Sequence, residues 1–87
     1  MRVELVTPAK LAFSIEKATH VILPGTDGSM GVLPGHVPMI TTLQGTEVVS
    51  IDTEGHENEL TFKIGKGFAE ITNDSVTIFA ETVEQMK

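Results

Sequence analysis

Apolar and polar residues alternate along most of this chain with a period of two, the pattern of half-buried β-strands. The clearest case is the segment Glu-Leu-Thr-Phe-Lys-Ile at 59–64. Residues 11–15 are a second case, in which Leu11, Phe13 and Ile15 are predicted to share one face. Such runs recur about every 8–12 residues, which predicts an antiparallel all-β sandwich or barrel. The predicted strands cover 2–5, 11–15, 18–23, 39–43, 46–52, 59–64, 68–72 and 76–80.

Residues 23–40 interrupt this alternation. The stretch contains four of the eight glycines and three of the four prolines, and these residues exclude a helix through it. A merely solvated connection would be polar, but here apolar residues stand between the glycines and prolines. They are Met30, Val32, Leu33, Val37, Met39 and Ile40. We predict a shaped loop with a short strand at Val32-Leu33, packed either on its own sandwich or on a partner.

Two phenylalanines fall on the polar faces of predicted strands. Phe79 shares its face with Thr77 and Glu81, and Phe68 shares its face with Glu70 and Thr72. Either the two rings cover an edge of the sandwich, or they form a docking patch for a partner.

Length and charge narrow the class of protein. With 87 residues we expect one small domain over 1–87. Six basic and twelve acidic residues give a net charge of −6, which argues against binding nucleic acid or an anionic lipid surface. No apolar run approaches the ~18 residues of a spanning helix, and the first residues lack the pattern of a signal peptide. We therefore expect neither secretion by a signal peptide nor integration into a membrane.

The residues give little support to catalysis, cofactor binding or metal binding. The chain has no cysteine, so it forms neither a disulfide nor a thiolate metal site. The histidines at 20, 36 and 56 are sixteen or more residues apart, which does not indicate a metal site. Gly25, Gly28 and Gly31 lack the spacing of a dinucleotide loop and are not followed by a predicted helix. A phosphate-binding or enzymatic use of the Gly25–Gly31 loop remains the alternative function.

Acidic residues cluster around the hairpin predicted at 53–56. They are Glu47, Asp52, Glu54, Glu57 and Glu59. Such a cluster either forms a solvated surface or attracts a basic partner.

Motifs spread over nearly the whole chain form a specific combination. Residues 23–41 read Leu-Pro-Gly-x-x-Gly-x-x-Gly-Val-Leu-Pro-Gly-His-Val-Pro-Met-Ile-Thr. Pro8-x-x-x-x-Phe13 precedes this stretch, and Gly-Phe-Ala-Glu-Ile at 67–71 and Val-Thr-Ile-Phe-Ala-Glu at 76–81 follow it. In these motifs the chain resembles the N-terminal domain of the epsilon subunit of F-type ATP synthase, which is called delta in mitochondria.

This resemblance implies a flattened antiparallel β-sandwich of about ten short strands at the foot of the central stalk. Members of the family bind the gamma subunit and rest on the c-subunit ring, and the assembled complex joins them to the catalytic alpha/beta head. They rotate with the stalk and couple ion-driven rotation to ATP synthesis, without a catalytic residue or cofactor of their own. The implied location is the cytoplasmic face of the bacterial inner membrane, as a peripheral protein without direct lipid insertion.

The resemblance also assigns contact residues by position. The loop that meets the c-ring corresponds to Thr26, Asp27, Gly28, Ser29, Met30 and Gly31. The face that meets gamma corresponds to Thr7, His36, Met39 and Ile40. Family members often have an acidic residue where Ser29 stands, so we expect contact here through the backbone, the Ser29 hydroxyl and Asp27.

The family's C-terminal helical hairpin is expected to be absent, because the chain ends at Lys87, where the sandwich is complete. We therefore expect coupling and assembly, but neither nucleotide sensing nor helix-mediated inhibition.

Overall fold

The structure, a computed structural model, describes residues 1–25, 28–35, 37–43, 48–53 and 60–86. These residues form ten β-strands and no helix, which confirms the all-β prediction. The strands are β1 Arg2–Val6, β2 Leu11–Ile15, β3 Ala18–Gly25, β4 Gly28–Val32, β5 Met39–Leu43, β6 Val48–Thr53, β7 Leu60–Ile64, β8 Gly67–Ile71, β9 Ser75–Ala80 and β10 Val83–Gln85. Within the described ranges, no helix is long and apolar enough to cross a bilayer.

All ten strands belong to one sheet that folds over on itself. Their order is β10-β7-β6-β3-β5-β8-β9-β1-β2, and β4 pairs with β3 off this path. We call β4, β3, β6, β7 and β10 the first half-sheet, and β5, β8, β9, β1 and β2 the second half-sheet. The halves join where Gly25 of β3 pairs with Leu43 of β5. They face each other across the core, since the rings of Phe13 in β2 and Phe62 in β7 lie 4.7 Å apart, centroid to centroid.

Strand direction follows the antiparallel prediction with one exception. The pairs between described strands are antiparallel except β1 and β9, which run parallel with Arg2 opposite Ser75 and Val6 opposite Phe79. Alternation cannot reveal this pair, because it shows which face a residue occupies but not which strand lies beside it.

The core is built from the inward positions of both half-sheets. The predicted inward residues of β7 and β9 are buried or, for Leu60, half-buried, as the period of two requires. The buried ones are Phe62, Ile64, Val76, Ile78 and Ala80. Val3 and Leu5 of β1 are fully buried beside β9.

Two details of the predicted strands were wrong, and one strand was not predicted. The strand placed at Val32-Leu33 runs instead over Gly28–Val32, because these residues pair with β3 in a hairpin, and Leu33 is exposed. Leu11 is 53% exposed rather than inward, because the β1–β2 register shifts between Leu5 and Val6. The three-residue strand β10, which pairs with β7, is too short to show an alternating pattern.

Candidate functional site

The residues predicted to contact gamma lie on the second half-sheet and its turns, except His36, which lies outside the described residues. Thr7 follows β1 in a tight turn: its N–H donates to the Lys10 carbonyl (2.9 Å), and the Lys10 N–H donates to the Thr7 carbonyl (3.2 Å). Ile40 projects from β5 on the outward side of the sheet and is 67% exposed. Met39 alternates with Ile40 and so lies on the same side of β5 as the buried Leu43.

A stacked pair of aromatic rings lies between Ile40 and Thr7. Phe68 and Phe79 are opposite each other on β8 and β9, with centroids 4.9 Å apart and planes inclined by 22°. Because β8 and β9 are flanked by β5 and β1, the rings lie within the sheet face and do not cover an edge. On the two flanking strands, Thr42 of β5 is opposite Phe68 and Val6 of β1 is opposite Phe79, so the four residues form one row.

An open groove of about 400 Å³ lies beside these rings. Its lining is almost wholly apolar and comes from three segments, 6–8, 66–68 and 79–81. Thr7 is in this lining, so the groove joins a predicted contact residue to the aromatic pair. Pro8 and Val6 were not predicted to belong to the site, because their place beside Phe79 depends on the parallel pairing of β1 with β9.

Two residues further along the strands, a second row crosses the same outward face. It consists of Ile40, Glu70, Thr77 and Glu4, each opposite the next on neighbouring strands. Arg2 Nε lies 4.0 Å from a carboxylate oxygen of Glu4. The exposed Glu70 forms no ion pair with any residue that the structure describes. We call the outward side of the second half-sheet, comprising this row and the aromatic row, the outer face.

The residues predicted to contact the c-ring form the hairpin of β3 and β4, of which Thr26 and Asp27 lie outside the described residues. Gly28 opens β4 with φ +118°, a conformation that favours glycine. Ser29 is exposed opposite Pro24, whereas Met30 turns inward against the core. The hairpin therefore offers backbone and the Ser29 hydroxyl at its end. Its described residues continue as a strand paired with β3, which does not favour the alternative phosphate-binding loop.

Gly31, the last predicted c-ring residue, is exposed and lies beside a histidine. A Cβ at Gly31 would lie 3.2 Å from Nε2 of His20, whose Nδ1 lies 3.4 Å from Oδ2 of Asp52. Asp52 is the described member of the predicted acidic cluster; Glu47, Glu54, Glu57 and Glu59 lie outside the described residues, as does His56. Within the described ranges, no group of three or more potential ligands is placed to hold a metal ion.

Comparison with known sequences gives one consistent result. Residues 1–86 match the family described as "ATP synthase, Delta/Epsilon chain, beta-sandwich domain". The chain is 43% identical over 84 residues to an ATP synthase epsilon chain of Brevibacillus brevis, covering 97% of this chain and 61% of that protein. It is 38% identical over 81 residues to an ATP synthase epsilon chain of Rickettsia typhi, covering 93% and 73%. The chain thus spans about three fifths of the Brevibacillus relative.

Comparison with solved structures gives the same fold. A chain in the cryo-EM structure of the Euglena gracilis mitochondrial ATP synthase, OSCP/F1/c-ring in rotational state 1, superposes with a TM-score of 0.85 at 21% identity. The match covers 95% of this chain and 51% of that one. A chain of the Tetrahymena thermophila mitochondrial ATP synthase central stalk and c-ring superposes with a TM-score of 0.77 at 13% identity, covering 97% and 65%.

Proposed function

Because the chain belongs to the β-sandwich domain family of ATP synthase delta and epsilon chains, we propose that it is a non-catalytic rotor subunit of the central stalk. In this role it links the gamma subunit to the c-subunit ring, so that ion-driven rotation is coupled to ATP synthesis in the alpha/beta head. It acts as a peripheral subunit at the cytoplasmic face of the bacterial inner membrane. Relatives that are epsilon chains, and fold neighbours from central-stalk and c-ring assemblies, support this role.

The observation that carries the proposal is the group of exposed apolar side chains on the outer face. Ile40 is 67% exposed and Phe68 is 42% exposed, and the apolar groove beside Phe68 reaches Thr7. Contiguous apolar side chains on a sheet face are typical of a surface that a partner covers. We assign this face, which carries Ile40, to gamma, and we propose Thr7, Met39 and the sequence-predicted His36 as further gamma contacts.

The c-ring is assigned to a different part of the molecule, the end of the β3–β4 hairpin. Gly25 of this hairpin pairs with Leu43, which is opposite Gly67 on β8. The hairpin, the 65–67 bend and the Thr7 turn therefore share one end of the sandwich. If this end of the sandwich meets the c-ring, the outer face, which runs along the strands, remains available to gamma. The contact residues proposed here are Thr26, Asp27, Gly28, Ser29, Met30 and Gly31.

Isothermal titration of this chain into purified gamma subunit tests the assignment. We expect Ile40→Asp to weaken binding by about ten- to a hundredfold, because covering an isoleucine contributes about 1.5–3 kcal/mol and the new carboxylate must also be desolvated. Met39 is left unchanged, because it lies on the other side of β5 from Ile40 and its substitution would not test the outer face.

Met86→Asp is the matched control, because Met86 is also a large apolar residue, 56% exposed, and follows β10 in the first half-sheet. We expect this variant to bind like the wild type. Equal losses in the two variants, or no loss in Ile40→Asp, would contradict the assignment of gamma to the outer face.

A further inference from the structure

We propose that the gamma surface covering the outer face carries a cationic side chain, best an arginine, that pairs with Glu70. The inference rests on the proposed function and adds the chemistry of the partner at one position. It follows from where the sheet places Glu70 among the exposed apolar residues.

Glu70 stands in the middle of the surface that gamma is proposed to cover. In the strand register it is directly opposite Ile40 on one side and Thr77 on the other. Phe68 precedes it by two residues on β8 and therefore shares its face. Opposite residues on neighbouring strands have Cβ atoms only about 4.5–5.5 Å apart. A partner that covers both Ile40 and Phe68 therefore also covers Glu70.

Covering this carboxylate without a counter-charge is costly. Removing an ionised group from water costs several kcal/mol, which the interface recovers only if the charge is paired and hydrogen-bonded. In the complex, Glu70 needs a cation from one of the two chains.

The described part of this chain does not provide that cation. The Arg2 side chain lies beside Glu4 on β1, which is two strands away from β8. Lys66 lies two residues before Phe68 and lines the groove, and Lys63 belongs to β7 in the first half-sheet. Lys10 and Lys17 flank β2, which is three strands away from β8, and His20 belongs to β3 in the first half-sheet. Thr77, the direct neighbour of Glu70 on β9, is uncharged. The charge that pairs with Glu70 is therefore assigned to gamma.

An arginine fits the surroundings of Glu70 better than a lysine. Its planar guanidinium donates two parallel hydrogen bonds to a carboxylate and is more weakly hydrated than an ammonium group. Its flat face also packs against aromatic rings, and Phe68 presents one beside Glu70. The aliphatic stem of the arginine would then lie against Ile40.

Glu70→Gln tests this inference in the same titration with purified gamma, because it keeps the size of the side chain and removes only its charge. We expect binding at least about tenfold weaker, since an interfacial cation loses its counter-charge. The affinity of the wild type should fall as salt is raised from about 0.05 to about 0.5 M, and this dependence should be smaller for Glu70→Gln. The matched control is Glu84→Gln on β10, which makes the same charge change on the first half-sheet and should bind like the wild type.

The possible outcomes separate this inference from the function on which it rests. If Glu70 were covered without a cation, Glu70→Gln would bind more tightly, because a neutral amide costs less to desolvate than a carboxylate. If Glu70 lay outside the interface, the substitution would change nothing. Either result, with wild-type binding intact and Ile40→Asp impaired, would overturn the inference and leave the proposed function standing. Failure of the folded wild type to bind gamma would overturn both.

Discussion

Among the glycines that the structure describes, Gly67 leaves the least room for a side chain, because the neighbouring strand lies against it. A Cβ there would overlap the carbonyl oxygen of Phe79 and lie 2.8 Å from Cα of Ala80. Both are backbone atoms of β9, which buried residues hold in place. We expect Gly67→Ala to lower the free energy of unfolding by about 2–3 kcal/mol or more, measured by urea denaturation.

Gly31→Ala is the control for this prediction. A Cβ at Gly31 would lie 3.2 Å from Nε2 of His20, which is the end of a half-exposed side chain that can turn aside. The expected loss is below about 1 kcal/mol. Similar losses at the two positions would mean that backbone crowding at Gly67 is not the cause.

At the scale of elements, the β3–β4 hairpin is the part assigned to the c-ring. Ser29 is exposed near the end of the hairpin and is opposite the buried Pro24. We expect Ser29→Cys to form a disulfide cross-link, under mild oxidation, to a cysteine placed in the polar loop of the c subunit in the assembled enzyme. Non-reducing electrophoresis of the membranes measures the product.

Asn73→Cys provides the comparison for this cross-link. Asn73 is exposed in the turn between β8 and β9. Its carbonyl accepts a hydrogen bond from the Gly35 N–H. This turn lies at the opposite end of the strands from the hairpin, so a c-ring at the hairpin end is out of its reach. Cross-linking from Asn73 but not from Ser29 would mean that the c-ring contacts the opposite end of the sandwich, and it would contradict the proposed assignment.

For the whole molecule, the structure separates phenylalanines that hold the fold from those that remain available for a partner. Phe62 is 1% exposed and its ring contacts Phe13 across the core, whereas Phe68 is 42% exposed on the outer face. We expect Phe62→Ala to cost about 3–5 kcal/mol, a large part of the roughly 5–15 kcal/mol that stabilises a domain.

Phe68→Ala should cost about 1 kcal/mol or less in the same urea experiment, because much of its ring already contacts water. A loss at Phe68 comparable with that at Phe62 would mean that the outer-face rings are structural. It would then be wrong to attribute weaker gamma binding in a Phe68 variant to a lost contact.

By itself, the sequence determined the strand class, most strand positions and the family. Alternation in 59–64 and 76–80 required one buried face, since successive side chains of a strand point to opposite sides, and the glycine and proline spacing of 23–41 is specific to a family. It also singled out Phe68 and Phe79, because an aromatic residue on a polar face is visible without coordinates.

Only the tertiary structure decided which strands are neighbours. The parallel pairing of β1 with β9 brings the Thr7 turn to the aromatic pair, and the β5–β8 register places Glu70 opposite Ile40. These contacts join residues far apart in the chain, and their pairing is selected by how both half-sheets together enclose the core. The local alternation of apolar and polar residues does not specify which strands pair. The strands of the outer face could therefore be predicted from the sequence, but their arrangement into that face could not.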